Sequence, residues 1–393
     1  MTGRSAGRAD RSVGRDRNRV AVFGAIVTKG PIARSEIAER TGLSQGTVTK
    51  LVTPLIETGY VVEDGKGAGG HGRPRVPLRL AADRRFALGV KATPREAVGV
   101  VADLSGRVVA QGRVALDSST ARGVVAGVAS VVRQLLDEDA AFRTRTFDVG
   151  VALGAPVDAA RRSVRPSAMY GWGHAGLADL IGERTGLRTV IENDVNALAV
   201  AEQWFGAGVD VPWFAVVTLG AGVGSALVMD GRLMRGARGG AGELGHLVVD
   251  PGGRPCRCGN RGCVETLAAD AAVLASIAEN GGPGGLDIRA AATLARSGDR
   301  AAVAAFSRAG EAMGAGIAAL VNLADPRRVV LSGEGVAGLD LFADALRATL
   351  ADRVLLPADE VDLVVRPLPD EAWARGAAAV ALQEIFTGPV AGA

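Results

Sequence analysis

Cysteine, histidine, lysine and aromatic residues are all scarce in this 393-residue chain, which has three cysteines, three histidines, four lysines and 4% aromatics. So few aromatics mean a core built mostly from Val, Leu, Ile and Ala. Three cysteines are too few for a disulfide-stapled scaffold, and a chain this long buries a large core without one. No apolar run is long enough to span a bilayer, so no membrane partner is expected. The Arg-rich N-terminus carries no apolar segment of the secretory kind. These absences point to a cytoplasmic globular protein of more than one domain.

The scarce residues are clustered. Cys256, Cys258 and Cys263 lie within eight positions, in Cys256-Arg257-Cys258-Gly259-Asn260-Arg261-Gly262-Cys263, and His246 lies ten residues upstream. Three thiolates and an imidazole match a closed tetrahedral structural zinc site (Zn2+). A full ligand set would leave no open position for water, so the ion reads as a brace and not a catalyst. The alternatives are three core cysteines beside an unrelated histidine, against which the clustering argues, and a disulfide, which would leave an odd thiol.

Charge is unevenly placed. Net charge is +3, but residues 1–80 carry +7 and the remainder −4. A basic head on a slightly acidic body suggests a polyanion-binding module. Residues 1–16 read as a flexible basic arm. A helix is expected from Arg17 to Gly30-Pro31, then a short helix at 35–40, a Thr41-Gly42-Leu43 turn, and a third helix over 45–58 capped by Ser44. This is helix-turn-helix spacing. The third helix would enter the major groove with Ser44, Gln45, Thr47, Thr49 and Lys50 facing DNA. A helical protein-binding module has the same helix pattern. Two alternating segments, 60–63 and 76–80, flank a Gly-rich stretch and read as a wing. Its Gly72-Arg73-Pro74-Arg75 would lay Arg73 and Arg75 in the minor groove; the bland alternative is a polar hairpin. A winged helix-turn-helix is therefore expected over 17–80.

Beyond residue 84, strands and helices alternate in two similar sets. Strands are expected at 86–90, 98–102, 108–114, 147–153 and 189–192, then at 214–219, 225–229, 329–332 and 361–365. Helices are expected at 121–137 and 195–205, through much of 264–323, and at 370–386. The class is α/β, with a duplicated body.

Four segments occur in order: Glu192-Asn193-Asp194-Val195-Asn196, Leu219-Gly220-Ala221-Gly222-Val223-Gly224, Gly239-Gly240-Ala241-Gly242-Glu243-Leu244-Gly245-His246, and the cysteine cluster ending at Glu265. Together they resemble the ROK family of repressors, open reading frames and kinases, over residues 18–393. The resemblance implies a two-lobed, actin-like sugar kinase body over 84–393, with lobes at about 84–194 and 195–370 and a C-terminal helix at 370–386. It implies sugar contacts from Asn193, Asp194, Glu243, His246 and Glu265, with His246 shared between zinc and sugar. In the family's kinases the residue matching Asp194 is the general base.

The phosphate loop departs from the family's kinases. Their first strand ends in Asp-x-Gly-Gly-Thr; here Lys91 replaces the aspartate, and Pro94-Arg95-Glu96 replace Gly-Gly-Thr. Ala221 replaces a hydroxyl residue in the second turn. Phosphoryl transfer depends on positioning and charge stabilisation, so this chain is expected not to be an enzyme. The expectation is a sugar-responsive transcriptional regulator, a repressor of carbohydrate uptake or catabolism genes. Its partners would be operator DNA and a sugar or sugar-derivative effector, and its assembly a homodimer or a dimer of dimers. The alternatives are an ATP-dependent sugar kinase using Asp194, and a regulator controlled by a protein partner.

Overall fold

The computed structural model describes residues 6–65, 76–158, 162–166, 170–369 and 371–387. The chain divides into two compact units, one of residues 1–209 with 373–393, the other of residues 210–372. The expected lobe boundary lies at 194, with the C-terminal helix set apart. The observed division differs because units are defined by packing. Residues 194–209 and the last helix both pack on the first sheet, although they are far apart in the chain.

The first unit opens with helices α1 (Ala6–Lys29), α2 (Arg34–Thr41) and α3 (Gln45–Glu57), and strands β1 (Ile32–Ala33), β2 (Val61–Glu63) and β3 (Pro77–Leu80). The strands form a small antiparallel sheet in the order β1-β3-β2. Val22, Phe23, Ile26, Ile37, Val48, Val52, Val61 and Leu78 are buried in this head. Helix α1 starts at Ala6, inside the segment read as a flexible arm. Alanine and arginine are strong helix formers, and a helix nucleated by a packed segment adds residues at low cost.

The rest of the unit holds β4 (Phe86–Ala92), β5 (Glu96–Asp103), β6 (Val108–Ala115), α4 (Ala121–Glu138), α5 (Ala140–Arg145), β7 (Thr146–Leu153), β8 (Val157–Asp158), β9 (Ser163–Val164), α6 (Leu177–Thr185), β10 (Arg188–Asn193) and α7 (Asp194–Phe205). Five strands form one sheet, β10-β7-β4-β5-β6. Strands β4, β5 and β6 are antiparallel neighbours, while β7 runs parallel to β4 and β10.

The second unit holds β11 (Phe214–Leu219), β12 (Val223–Met229), β13 (Arg232–Leu233), α8 (Glu265–Ala268), α9 (Asp270–Glu279), α10 (Ile288–Arg296), α11 (Arg300–Ala324), β14 (Arg328–Ser332), α12 (Ala343–Arg353) and β15 (Leu363–Val365). Its sheet, β13-β12-β11-β14-β15, repeats the first: an antiparallel start, then parallel strands. Its core packs Val217, Leu331 and Val329 against Phe306, Met313 and Ile317 of α11. Among the described residues no helix is long and apolar enough to cross a membrane.

Helix α13 (Ala372–Thr387) returns to the first unit. Its buried alanines at 374, 377 and 378 lie on the central strands. A side chain on Gly89 would sit 2.0 Å from Ala374 O, and one on Gly150 would sit 1.9 Å from Ala377 O. Glycine at these two points lets helix and sheet touch backbone to backbone. Gly150→Ala should therefore destabilise the protein by about 1–3 kcal/mol through overpacking. Thermal unfolding would show this as a lower melting temperature than wild type; an unchanged one would refute the close-packing account.

Candidate functional site

Helix α7 sits where β10 ends. Asn193 is its N-cap: Oδ1 accepts from Val195 N at 3.0 Å and from Asn196 N at 3.2 Å. Asp194, the first helical residue, is thus not the cap. Buried Glu192 supports the turn, its Oε1 accepting from Asn193 N at 2.9 Å and Asn196 Nδ2 at 3.0 Å.

Asp194 is held by Lys91, whose Nζ donates to Asp194 Oδ2 as an ion pair. Lys91 also lies over the Trp373 ring, 4.9 Å from its centroid. Strand β4 ends at Ala92 and β5 begins at Glu96, so Thr93-Pro94-Arg95 form the hairpin. Thr93 closes it, its Oγ1 accepting from Glu96 N at 3.1 Å. Glu96 pairs with Arg113 at 3.1 Å. Buried Tyr170 donates to Ala92 O at 2.7 Å. Burial, reinforced by the Asp194 carboxylate, raises the Tyr170 phenol well above its ordinary value, so it stays a donor. The sequence marked Lys91 as a missing aspartate but not as a partner of Asp194. Trp373 carried no signal in the sequence, and Tyr170 stood there only as part of a loop, 168–172, read as shaping the pocket.

The far end of α7 meets the head. The rings of Trp204 and Phe23 of α1 are 5.7 Å apart at 50°. The segment after β3 is also pinned. Ala81 N donates to Tyr60 O at 2.9 Å, Leu104 N to Ala82 O at 3.0 Å, and Arg85 bonds both Tyr60 Oη at 2.7 Å and Asp148 at 2.6 Å.

In the head, Ser44 caps α3 by accepting from Thr47 N at 3.2 Å, and its hydroxyl shares a bond of 2.9 Å with that of Thr47. Gln45, Thr49 and Lys50 are exposed along the first two turns. Thr49 Oγ1 donates to Gln45 O at 2.9 Å. Arg73 and Arg75 lie outside the described residues.

In the second unit, Cys256, Cys258, Cys263 and His246 bring their donor atoms within 4.8 Å of one another. Cys258 and Cys263 sulfurs are 3.7 Å apart, and Cys256 Sγ is 3.4 Å from His246 Nδ1. Two sulfurs on one tetrahedral ion, each with a bond of about 2.3 Å, would be separated by roughly 3.8 Å. The set therefore fits a metal ion, and no pair is close enough for a disulfide. The loop is folded by Cys256 N to Asn260 O at 2.8 Å and Gly262 N to Arg254 O at 2.8 Å. Gly262 has φ +65°, and a side chain there would meet Asp250 O at 1.4 Å. Burial first, then Cys258 and Cys256, push the Cys263 thiol up to about 12. A metal bound here would have to displace that proton.

Glu243 is exposed, just before a 3-10 turn at Leu244–His246. Glu265 starts α8; Arg257 Nε lies 3.0 Å from its Oε1, and Val223 N 3.4 Å from its Oε2. Each unit thus gathers part of the expected set: Asn193 and Asp194 in the first; Glu243, His246, Glu265 and the cysteines in the second.

A model of the ROK family matches residues 87–384, and one described as winged helix-turn-helix DNA-binding matches residues 15–62. The chain is 30% identical over 351 residues to the N-acetylglucosamine repressor of Escherichia coli O6:H1, covering 87% of this chain and 83% of the relative. A crystal structure of a ROK family transcriptional regulator, homologous to the E. coli MLC protein, superposes with TM-score 0.81 at 25% identity, covering 95% of this chain and 96% of that one. A ROK family glucokinase from Streptomyces griseus, with glucose and AMPPNP, gives TM-score 0.67 at 28% identity, covering 76% and 99%.

Cys258→Ser should lower the bound metal measured by atomic emission to well below one equivalent. Loading the wild type should release protons and strengthen with rising pH, because thiols must ionise to bind. Full metal content in the variant would refute the four-ligand site.

Proposed function

The chain belongs to the ROK family, with a winged helix-turn-helix ahead of the family's body, and from this premise we propose that it is a sugar-responsive DNA-binding regulator repressing carbohydrate uptake or catabolism genes. The observation that carries the reading is helix α7. Its first turn presents Asn193 and Asp194, and its last turn packs Trp204 on Phe23 of the head. A 12-residue helix spans about 18 Å as one rigid element. A sugar that draws on Asp194 competes with Lys91, and any tilt of α7 reaches α1 directly. Ligand control requires only that sugar favour one arrangement over another.

The sugar residues of the proposal are Asn193, Asp194, Glu243, His246 and Glu265. Carboxylates, amide and imidazole suit sugar hydroxyls, and once a ligand covers them such groups reject analogues lacking those hydroxyls. The proposed ion at His246, Cys256, Cys258 and Cys263 is zinc, which would brace the loop leading to Glu265. His246 faces the cysteines with Nδ1, leaving Nε2 for a hydroxyl. On DNA, Gln45, Thr49 and Lys50 are the proposed readers, with Ser44 and Thr47 fixing the helix start and Arg73 and Arg75 following the minor groove. A homodimer would present two heads to a two-fold-related operator.

Sugar phosphorylation is set aside for a specific reason. A general base must hydrogen-bond the attacking hydroxyl before taking its proton. Here Lys91 pairs with Asp194 Oδ2 and Val195 N bonds Oδ1 at 2.9 Å, so that hydroxyl competes with both. The hairpin at 93–95 also lacks the glycines that would admit a phosphate.

Purified protein should shift its own upstream DNA in a mobility assay, and a cognate sugar should alter that complex; binding to no genomic fragment would sink the proposal. An ADP-release assay across hexoses, pentoses and amino sugars should show no sustained turnover, and turnover would restore the kinase reading. Phe23→Leu should leave sugar affinity intact but shrink the effect of sugar on DNA affinity from roughly 5-fold or more towards one. Calorimetry and fluorescence anisotropy would check this, and an undiminished effect would remove α7 as the route.

A further inference from the structure

Strands β11 and β14 are parallel neighbours, with Thr218 opposite Ser332. The residues beyond their C-terminal ends therefore lie side by side, and this is where α/β sheets receive ligands. After β11 comes the turn Gly220-Ala221-Gly222, of the kind whose backbone amides can close around a phosphate. After β14 comes Glu334, the first residue of a 3-10 turn running to Leu341.

The turn is already engaged by the chain. Gly220 N donates to Gly222 O at 3.1 Å, and Val223 N faces Glu265 Oε2 at 3.4 Å. A carbon added to Gly220 would meet Glu334 Oε2 at 2.9 Å, and one added to Gly222 would meet Glu265 Oε2 at 3.1 Å. Two carboxylates thus lie against the two glycines. Asp270 adds a third acid, its N donating to Gly220 O at 2.9 Å. Burial and, secondarily, repulsion from Glu334 raise the Asp270 carboxyl above its ordinary value. Arg257 is the cation at Glu265, with which it pairs.

We propose that Glu334 is a specificity determinant that bars nucleoside polyphosphates from the glycine turn. Its carboxylate covers the surface a phosphate would need and repels the same charge. This deepens the non-phosphorylating reading above, but it rests on the second unit alone and is independent of Lys91 and Asp194.

The test is isothermal titration of AMPPNP, without sugar, into full-length wild type, Glu334→Gly and Glu334→Gln. Wild type should show no saturable binding at millimolar nucleotide. The glycine variant should bind at least roughly ten-fold more tightly. The glutamine variant keeps the volume and loses the charge, so it should fall between them. Melting temperature and bound metal confirm that each variant is folded; if the glycine variant is not, the glutamine variant decides alone. Wild-type binding equal to that of the variants, or no gain in a folded variant, would overturn the proposal. A failed sugar response in wild type would instead sink the regulator reading and leave this comparison intact.

Discussion

The ion pair between Lys91 and Asp194 joins the end of β4 to the start of α7, and the arrangement of the first unit turns on it. Both groups are largely shielded, so neither charge is satisfied by water alone. A buried charge needs a partner, and each supplies the other's. The pair fixes where α7 begins, Asn193 caps that beginning, and Gly376 of α13 lies against Ala197 one turn on. The later turns of the helix are therefore placed as well, including the Trp204 ring that receives Phe23. The head is thus packed on the body and also tied to it by Arg84 and Arg85, which bond Thr58 O and the Tyr60 hydroxyl.

Most elements were legible because their signals are local. Strands such as Phe214–Leu219 are short apolar runs bounded by turns, and the helix after Thr120 carries its own cap. The grouping of His246 with the three cysteines was legible for the same reason: the four donors fall within one short segment. The features hidden from the sequence are long-range. Lys91 and Asp194 are 103 positions apart, and nothing in either neighbourhood signals the other. Glu334 read only as a residue between two glycines after a strand, because its neighbour Gly220 arrives by parallel pairing of β11 and β14. The division into units was hidden too, because α7 and α13 pack on the same sheet from distant parts of the chain.

The proposed departures from kinase chemistry share one physical character, which is altered charge within each unit. A lysine pairs with the carboxylate that a kinase would use as its base. Acidic side chains lie on a glycine turn that would otherwise offer amides to an anion. Neither change removes the polar groups suited to a sugar. A fold that bound sugar without engaging nucleotide would direct the binding energy into conformation, and the packed head is the part such a change would move.

Sugar and DNA sites coupled through one protein must influence each other equally, because coupling is reciprocal. The most direct measurement is calorimetric sugar affinity on free protein and on protein saturated with its operator. The two dissociation constants should differ by roughly 5-fold or more, matching the factor by which sugar changes DNA affinity. Equal sugar affinities in the two states would contradict the coupling.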